Sequence, residues 1–315
     1  MLKTSSPNST VGITGVHGFV GRNLCAYLLA AGFEVVGFGR QEASLLEVHP
    51  RYAYRQWTLP DTLPGPKPRL DALVHCAAKV TPEIEDNGHF RVNVEGTRQV
   101  VETYPAAHCI YISSGSVYPL AGTDIQEDEP INSKKYLVAY ARTKYQAEQV
   151  VQAQATRYTI LRPHIIYGPQ DTTIIPRLLR AQRPSLGRML VFGSGQNLVS
   201  PTAVVNLAQA VERSLRNPQN TIYNVTDGVS ATLLELLNEL KQAGQITYPY
   251  LHLPVWLGSL AAKVLPFLSK DPLLNEYLLH QLTTTHTLSI TKAKQELGYH
   301  PSVTYQTHLQ DYYQV

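Results

Sequence analysis

Cysteine is scarce in this chain. Cys25, Cys76 and Cys109 are odd in number, share no C-x-x-C spacing and sit inside apolar runs, so neither a disulfide framework nor a metal-binding cluster is expected. The pattern predicts reduced, buried thiols and a cytoplasmic protein. Charge of one sign is lacking too: 27 basic residues stand against 24 acidic ones, a net of +3 with no basic face or acidic tail, which argues against a nucleic-acid partner. The opening residues MLKTSSPNST hold no apolar core of the kind a secretory signal needs, so no export is expected. Long hydrophobic runs are also missing. The longest, Leu253 to Leu268, is broken by Pro254, Lys263 and Pro266 and falls short of the roughly 20 residues that span a bilayer, so no transmembrane segment is expected. It reads as a packed helix, with contact to a membrane surface as the alternative.

What is present is an enzyme-sized chain of 315 residues, 43% apolar, enough for one large core or two smaller ones. The first half alternates short β-branched runs with amphipathic helical patterns, which predicts βαβ units and a parallel sheet. Strands are expected at Thr10 to Thr14, Glu34 to Phe38, Tyr52 to Leu59, Leu73 to Cys76, Cys109 to Ser113, Tyr158 to Arg162 and Ile222 to Val225. Beyond Gly168-Pro169 the pattern changes, with helices expected at Val204 to Leu215, Leu233 to Ala243 and Leu273 to Leu282. The fold class is therefore α/β: a doubly wound parallel sheet of the Rossmann type with a smaller, mainly helical unit for substrate. The sheet domain would take 8–169 and about 193–226, and the substrate domain about 170–192 and 227–315.

The run Thr14-Gly15-Val16-His17-Gly18-Phe19-Val20-Gly21 follows a strand and opens an apolar helix. Gly15 permits a tight turn, Gly18 lets backbone approach a pyrophosphate, and Gly21 lets the helix pack close to the strand, while the helix N-terminus offers its amides to the phosphates. Without its flanks such a pattern is only a flexible turn; with them it predicts a dinucleotide site. In Tyr140-Ala141-Arg142-Thr143-Lys144 the phenol and the ammonium share a helix face at i, i+4. A tyrosine normally titrates near 10, and Lys144 beside a positively charged nicotinamide is expected to lower that value, fitting Tyr140 to exchange a proton with a substrate oxygen as hydride moves. Ser114, just past a strand end, is the hydroxyl expected against that oxygen; Ser113 and Ser116 suit turn capping better.

These residues resemble the extended short-chain dehydrogenases/reductases, also called the NAD-dependent epimerase/dehydratase family. The resemblance runs through the glycine turn, Val74-His75-Cys76-Ala77-Ala78, Asn93-Val94-x-Gly96-Thr97, the serine turn ending at Tyr118, the Tyr140/Lys144 pair, Leu161-Arg162-Pro163 up to Tyr167-Gly168-Pro169, and Lys292-Ala293 through Tyr299 and Pro301. It implies an NAD(P)-dependent oxidoreductase. Tyr140 would be the acid/base, Lys144 would also hold the nicotinamide ribose, Ser114 would orient the substrate, and Asn93 would stabilise a helix bend and a water relaying protons from Lys144. Gly15, Gly18, Phe19, Val20, Gly21, Ala77, Ala78 and Pro163 would bind cofactor along with Tyr140, Lys144 and Arg40.

Departures from the family pattern narrow the reaction. The residues after Ser114 are Gly115 and Ser116, not the Asp-Glu pair of sugar dehydratases, so dehydration is not expected. Gly193 to Asn206 carries no arginine or aspartate of the kind that grips a sugar diphosphate, and looks closer to the 3β-hydroxysteroid and sterol dehydrogenase branch. A largely apolar secondary alcohol or ketone is the expected substrate, and a homodimer is compatible with the chain. Arg177, Arg180, Arg183 and Arg188 keep a nucleotide-sugar 4-epimerase as the alternative, since arginines bind diphosphates bidentately. A cofactor-binding redox sensor without turnover is the second alternative. Gly39-Arg40 closes the second strand where an acidic residue would hold the ribose of NAD, so NADP is expected over NAD, with Arg40 against the 2′-phosphate and Arg22 on the first helix placed to add a second charge.

Overall fold

A computed structural model describes residues 9–43, 48–81, 88–132, 138–268 and 274–313, the side chains of 265–268 excepted. Most of the opening decapeptide, residue 8 of the expected sheet domain, residues 314–315 and the expected helix start at Leu273 lie outside the described residues.

Seven parallel strands form the central sheet, in the order Thr221–Val225, Arg157–Pro163, His108–Ile112, Ala72–His75, Thr10–Thr14, Glu34–Gly39, Tyr52–Gln56. Its middle strands are buried on both faces, Val11, Ile13, Val74 and Ile110 among them, which is why they read as continuous apolar runs rather than alternating ones. One face is covered by helices Phe19–Ala30 and Val204–Arg216, which pack on each other and place Leu24, Leu28, Leu207 and Val211 in the main core. On the other face, Gly96–Thr103 and Ala139–Gln154 bury Val101, Ala147 and Val151 against Cys109, Tyr111 and Ile160.

The seven strands stand where sequence patterning puts them, with ends differing by a residue or two, except at Tyr52–Gln56. Tyr52 to Leu59 was the expected span. There Trp57 turns inward, 3% exposed, and meets Phe38 edge-on at 5.4 Å, taking the chain off the sheet. The chain winds outward through Glu34–Gly39 and Tyr52–Gln56, then crosses back to Ala72–His75 on the other side of Thr10–Thr14. That reversal opens a crevice beyond the carboxyl ends of Thr10–Thr14 and Ala72–His75.

A second core gathers Ile175, Met189, Val191, Leu236, Leu237 and Leu240 with Tyr305 and Leu309. Its helices are accompanied by short strands: Arg188–Phe192 pairs with Gln182–Arg183 and Tyr250–Leu253, and Gly122–Ile125, His286–Leu288, Leu198–Val199 and Ala231–Thr232 form another small sheet. Helix Leu233–Gln242 begins at a reciprocal cap, Thr232 with Glu235. Ile290, Ala293, Leu297 and Tyr299 return to the main core, and the Tyr299 hydroxyl donates to Thr226 O at 2.8 Å.

Candidate active site

The glycine turn sits at the crevice. Gly15 has φ +69°, a left-handed conformation, and a Cβ there would stand 2.9 Å from the backbone of Ala77; a Cβ at Gly21 would collide with the Gly15 carbonyl. The turn therefore admits only glycine at both positions. The first intrahelical bond is Arg22 N to Gly18 O, 3.0 Å, so the amides of Phe19, Val20 and Gly21 precede the hydrogen-bonded ladder, as an anion site at a helix N-terminus requires. A groove of about 630 Å³ opens beside it, lined among others by Gly15, Gly18, Arg40, Ala77 and Ala78, which suits a dinucleotide. Phe19 is buried, and Val20 packs on the main core. Thr14 Oγ1 holds the floor, 2.6 Å from His75 Nδ1, whose Nε2 lies 2.9 Å from Thr97 Oγ1.

At the far end of the groove, Gly39 sits under a cluster that sequence reasoning missed. His17 Nδ1 bonds Gln41 Oε1 at 2.6 Å, its ring lies 4.9 Å from that of Tyr54, and a Cβ on Gly39 would stand 2.9 Å from His17 Nδ1 and 3.0 Å from the Tyr54 hydroxyl. Arg40 lines the groove and its carbonyl accepts from Gln56 Nε2 at 3.0 Å. Arg22 is directed elsewhere, donating to His17 O and Gln170 Oε1, both at 2.8 Å.

Tyr140 is the second residue of helix Ala139–Gln154, and Lys144 lies one turn further on. The Tyr140 side chain is hydrogen-bonded with Ser114, which stands just past the end of His108–Ile112. Lys144 is buried, donates to Ile112 O and rides 4.1 Å from the centre of the Tyr111 ring. Burial lowers its pKa to about 7, against the opposing pull of Glu148 and Cys76. Burial raises the Tyr140 pKa, with the Ser114 bond acting the other way. A lowering of the phenol is thus not supplied by this chain alone.

Asn93 lies in a π-helical turn, Phe90–Glu95, that runs straight into Gly96–Thr103. Its Oδ1 accepts from Lys79 N at 2.7 Å, and its Nδ2 donates to Lys79 O at 3.1 Å and to Thr143 Oγ1 at 3.0 Å. Its side chain thereby ties the helix carrying Tyr140 and Lys144 to the strand-end loop at Lys79. Pro163 closes its strand in register with Val225 and is not among the groove's lining residues.

The serines divide differently from the expectation. Ser114 itself caps the short turn Gly115–Val117, accepting from Ser116 N at 3.2 Å. Ser113 caps nothing; it donates to Glu148, whose carboxylate holds Arg162 through Nε at 2.9 Å and Nη2 at 2.6 Å, with Arg162 Nη1 donating to the Tyr118 hydroxyl at 2.8 Å. Ser116 accepts from Tyr277 at 2.8 Å, and Gln281 Nε2 donates to the same phenol at 2.7 Å. Tyr277 and Gln281 lie on helix Glu276–Thr283, and no local signal in the sequence marks either. Beyond Gln281 lies a cavity of about 380 Å³ with mostly aliphatic walls. Among the described residues no cluster of His, Cys, Asp or Glu is arranged to hold a metal ion, and no helix is long and apolar enough to cross a membrane.

The profile of the NAD dependent epimerase/dehydratase family matches residues 11–226. A 2-alkyl-3-oxoalkanoate reductase of Shewanella oneidensis is 28% identical, covering 91% of this chain and 81% of the relative. The human sterol-4-alpha-carboxylate 3-dehydrogenase, decarboxylating, is 28% identical over 93% of this chain and 84% of its own. Among solved structures, the UDP-glucuronic acid 4-epimerase of Bacillus cereus in complex with NAD superposes with a TM-score of 0.73 at 20% identity, covering 96% of this chain and 98% of that one.

Proposed function

The chain belongs to the NAD dependent epimerase/dehydratase family, and from that premise we propose that it is an oxidoreductase moving hydride between a nicotinamide dinucleotide and a largely apolar secondary alcohol or its ketone. One observation carries this reading: a half-buried tyrosine hydrogen-bonded with Ser114 at the strand ends, beside a groove shaped for a dinucleotide. Bound in that groove, the dinucleotide supplies or accepts the hydride. Ser114 holds the substrate oxygen against Tyr140, and Tyr140 gives the proton in reduction or takes it in oxidation. The phenol's raised pKa keeps it protonated in the chain alone, which suits proton donation to a carbonyl. Lys144, titrating near 7, is poised to replenish that proton, and Asn93 fixes the helix on which both sit.

NADP is the proposed cofactor. Arg40 lines the groove end, and Gly39 brings no carboxylate there to repel a 2′-phosphate. The substrate is assigned to the unit built from about 170–192 and 227–315, because the aliphatic cavity is lined mainly from it. Two of its sequence relatives, those given above, are named as a reductase and a dehydrogenase, which supports net oxidation or reduction. Three free cysteines, two of them buried, accord with a reducing, cytoplasmic setting.

Incubating the protein with reduced cofactor and a panel of apolar ketones tests the reading. Steady oxidation of cofactor with matching alcohol formation is expected. Interconversion of C4 epimers of a UDP-sugar, or cofactor binding without consumption across the panel, overturns it.

A further inference from the structure

The cavity beyond Gln281 has an unusual composition. Its walls are aliphatic, drawn from Met189 and Val191 on one side, Leu233 and Leu237 on another and Leu257 and Leu278 on a third. Only three of its described lining residues are polar in their side chains: Arg177, Arg183 and Gln281. None is a carboxylate. An apolar cavity whose charged lining is purely cationic complements an amphiphile with an alkyl body and an anionic head.

The cavity is also joined to the reacting groups. Gln281 donates to the Tyr277 hydroxyl at 2.7 Å, that hydroxyl donates to Ser116 Oγ at 2.8 Å, and Ser114 Oγ donates to Ser116 Oγ at 3.1 Å. Three hydrogen bonds thus lead from the cavity wall to the serine beside Tyr140. Phe192, Ala261, Leu278 and Leu282 line the cavity and also belong to the apolar cluster that includes Tyr140. The two arginines are not equivalent. Both have partners within the fold, those of Arg183 being the carbonyls of Arg180 at 2.6 Å and Gln182 at 3.2 Å, so what separates them is position. Arg177, on helix Ile174–Leu179, stands close enough to Tyr277 for its charge to lower that phenol's pKa, against a larger rise from burial.

We propose that this cavity is the substrate-tail site of the enzyme, that it takes an unbranched or isoprenoid-like chain of carbon, and that Arg177 holds a carboxylate carried close to the reacting carbon. The substrate class is then a long-chain keto acid or the corresponding hydroxy acid. The cavity confines the chain, Arg177 sets how deeply the head enters, and the carbonyl is left facing Ser114 and Tyr140. The inference rests on the reading of Tyr140 and Ser114 given above for the position of the carbonyl, whereas the tail site and the arginine contact stand as binding statements of their own.

Binding is therefore measured without turnover, by calorimetry on the wild-type protein with octanoate, decanoate and dodecanoate and with the matching primary alcohols. Affinity is expected to rise about fourfold per added methylene until the cavity is full, the equivalent of the roughly 0.8 kcal/mol gained on burying one CH₂. Arg177→Gln is expected to weaken the carboxylates by about tenfold or more, as loss of a charge-assisted hydrogen bond does, while changing the alcohols less than about twofold. Leu237→Trp, which fills the cavity, is expected to abolish the gain from the longer chains. Equal affinity of wild type for acids and alcohols removes the arginine contact, and affinity independent of chain length removes the tail site; either overturns the inference, even if no variant folds. Tyr140→Phe separates the two readings: it should keep the fatty-acid binding. Chain-length-dependent binding with no ketone turnover sinks the proposed function and leaves the tail site standing; turnover with no such binding does the reverse.

Discussion

The hydroxyl of Tyr277 donates to Ser116 Oγ at 2.8 Å, so a side chain of the C-terminal unit is hydrogen-bonded into the serine turn that carries Ser114. Burial raises the Tyr277 pKa to well above its ordinary value, so it stays a donor at all working pH values. Tyr277→Phe removes two neutral hydrogen bonds, one to Ser116 and one from Gln281, each worth about 1 kcal/mol, and frees Ser116 to turn. A several-fold rise in KM with kcat within about threefold is expected, because Tyr277 positions Ser114 and touches no reacting atom. Tyr140→Phe, by contrast, should lower kcat by about 10²-fold or more with cofactor affinity almost unchanged, since it removes the proton donor. Titrating cofactor binding by fluorescence alongside steady-state kinetics separates the two outcomes; a Tyr140→Phe enzyme retaining more than a tenth of the rate would mean that another group moves the proton.

Arg162 and Glu148 are 2% and 0% exposed in their side chains, and they form a doubly bonded pair under the site. Glu148→Gln leaves the guanidinium buried without its counter-charge and should destabilise the protein by about 3–5 kcal/mol in urea unfolding. The double replacement Arg162→Met with Glu148→Leu should be less damaging than the sum of the singles, because it leaves no orphaned charge. Strict additivity in that cycle would show that the two residues do not act as a pair.

Burial lowers the pKa of His75 to about 3 and of His108 to about 4, with smaller contributions from Lys144 and Arg157, and it also lowers His164 and His286. Unfolded, each histidine takes up a proton near 6.5 that the folded chain refuses, so stability falls as pH drops below about 6.5, by up to roughly 1.4 kcal/mol per pH unit for each histidine. Two carboxyls oppose this: buried Asp227, raised by desolvation to about 6, and half-buried Glu127, raised by the same cause. With four histidines against two carboxyls, urea midpoints should decline steadily from pH 7 to pH 5. A midpoint that stayed level or rose over that interval would contradict the buried, neutral state of these rings.

Arg40→Ala should lower kcat/KM for NADPH by about tenfold or more, as expected for loss of a charged fork on a phosphate, and leave NADH within about twofold. Kinetics with both cofactors on wild type and variant decide the matter. A wild-type preference for NADH, or an equal loss with both, removes Arg40 from the 2′-phosphate.

The strands, the glycine turn and the Tyr140/Lys144 pair were legible because each is written in neighbouring residues: apolar runs, glycines at fixed spacing, two side chains one helical turn apart. What was not legible depends on partners distant in sequence. Nothing beside Ser113 announces Glu148, and nothing beside Ser116 announces Tyr277; both serines look like turn caps until the fold brings a helix to them. Arg22 shows the same limit from the other side. Its position on the first helix suggests a second charge for the cofactor, but His17 O and Gln170 lie within its reach and each takes a donor from one of its terminal nitrogens. Burial raises the Tyr140 pKa in the chain alone for a related reason: the pair's spacing is local, whereas the packing around the phenol is a property of the whole fold.

The cushion of His17 and Tyr54 over Gly39 bears on the order in which this site can change. A carboxylate at position 39 is the simplest route toward NAD, yet its Cβ would stand 2.9 Å from His17 Nδ1, closer than side chains tolerate. The ring must first swing away, giving up its bond to Gln41 and its contact with Tyr54. A small residue at position 17 is therefore the permissive step and an acid at position 39 the effective one. Taken in the opposite order, the first step spoils packing before any new contact to a ribose exists, and a lineage or a library that samples one substitution at a time meets a barrier there.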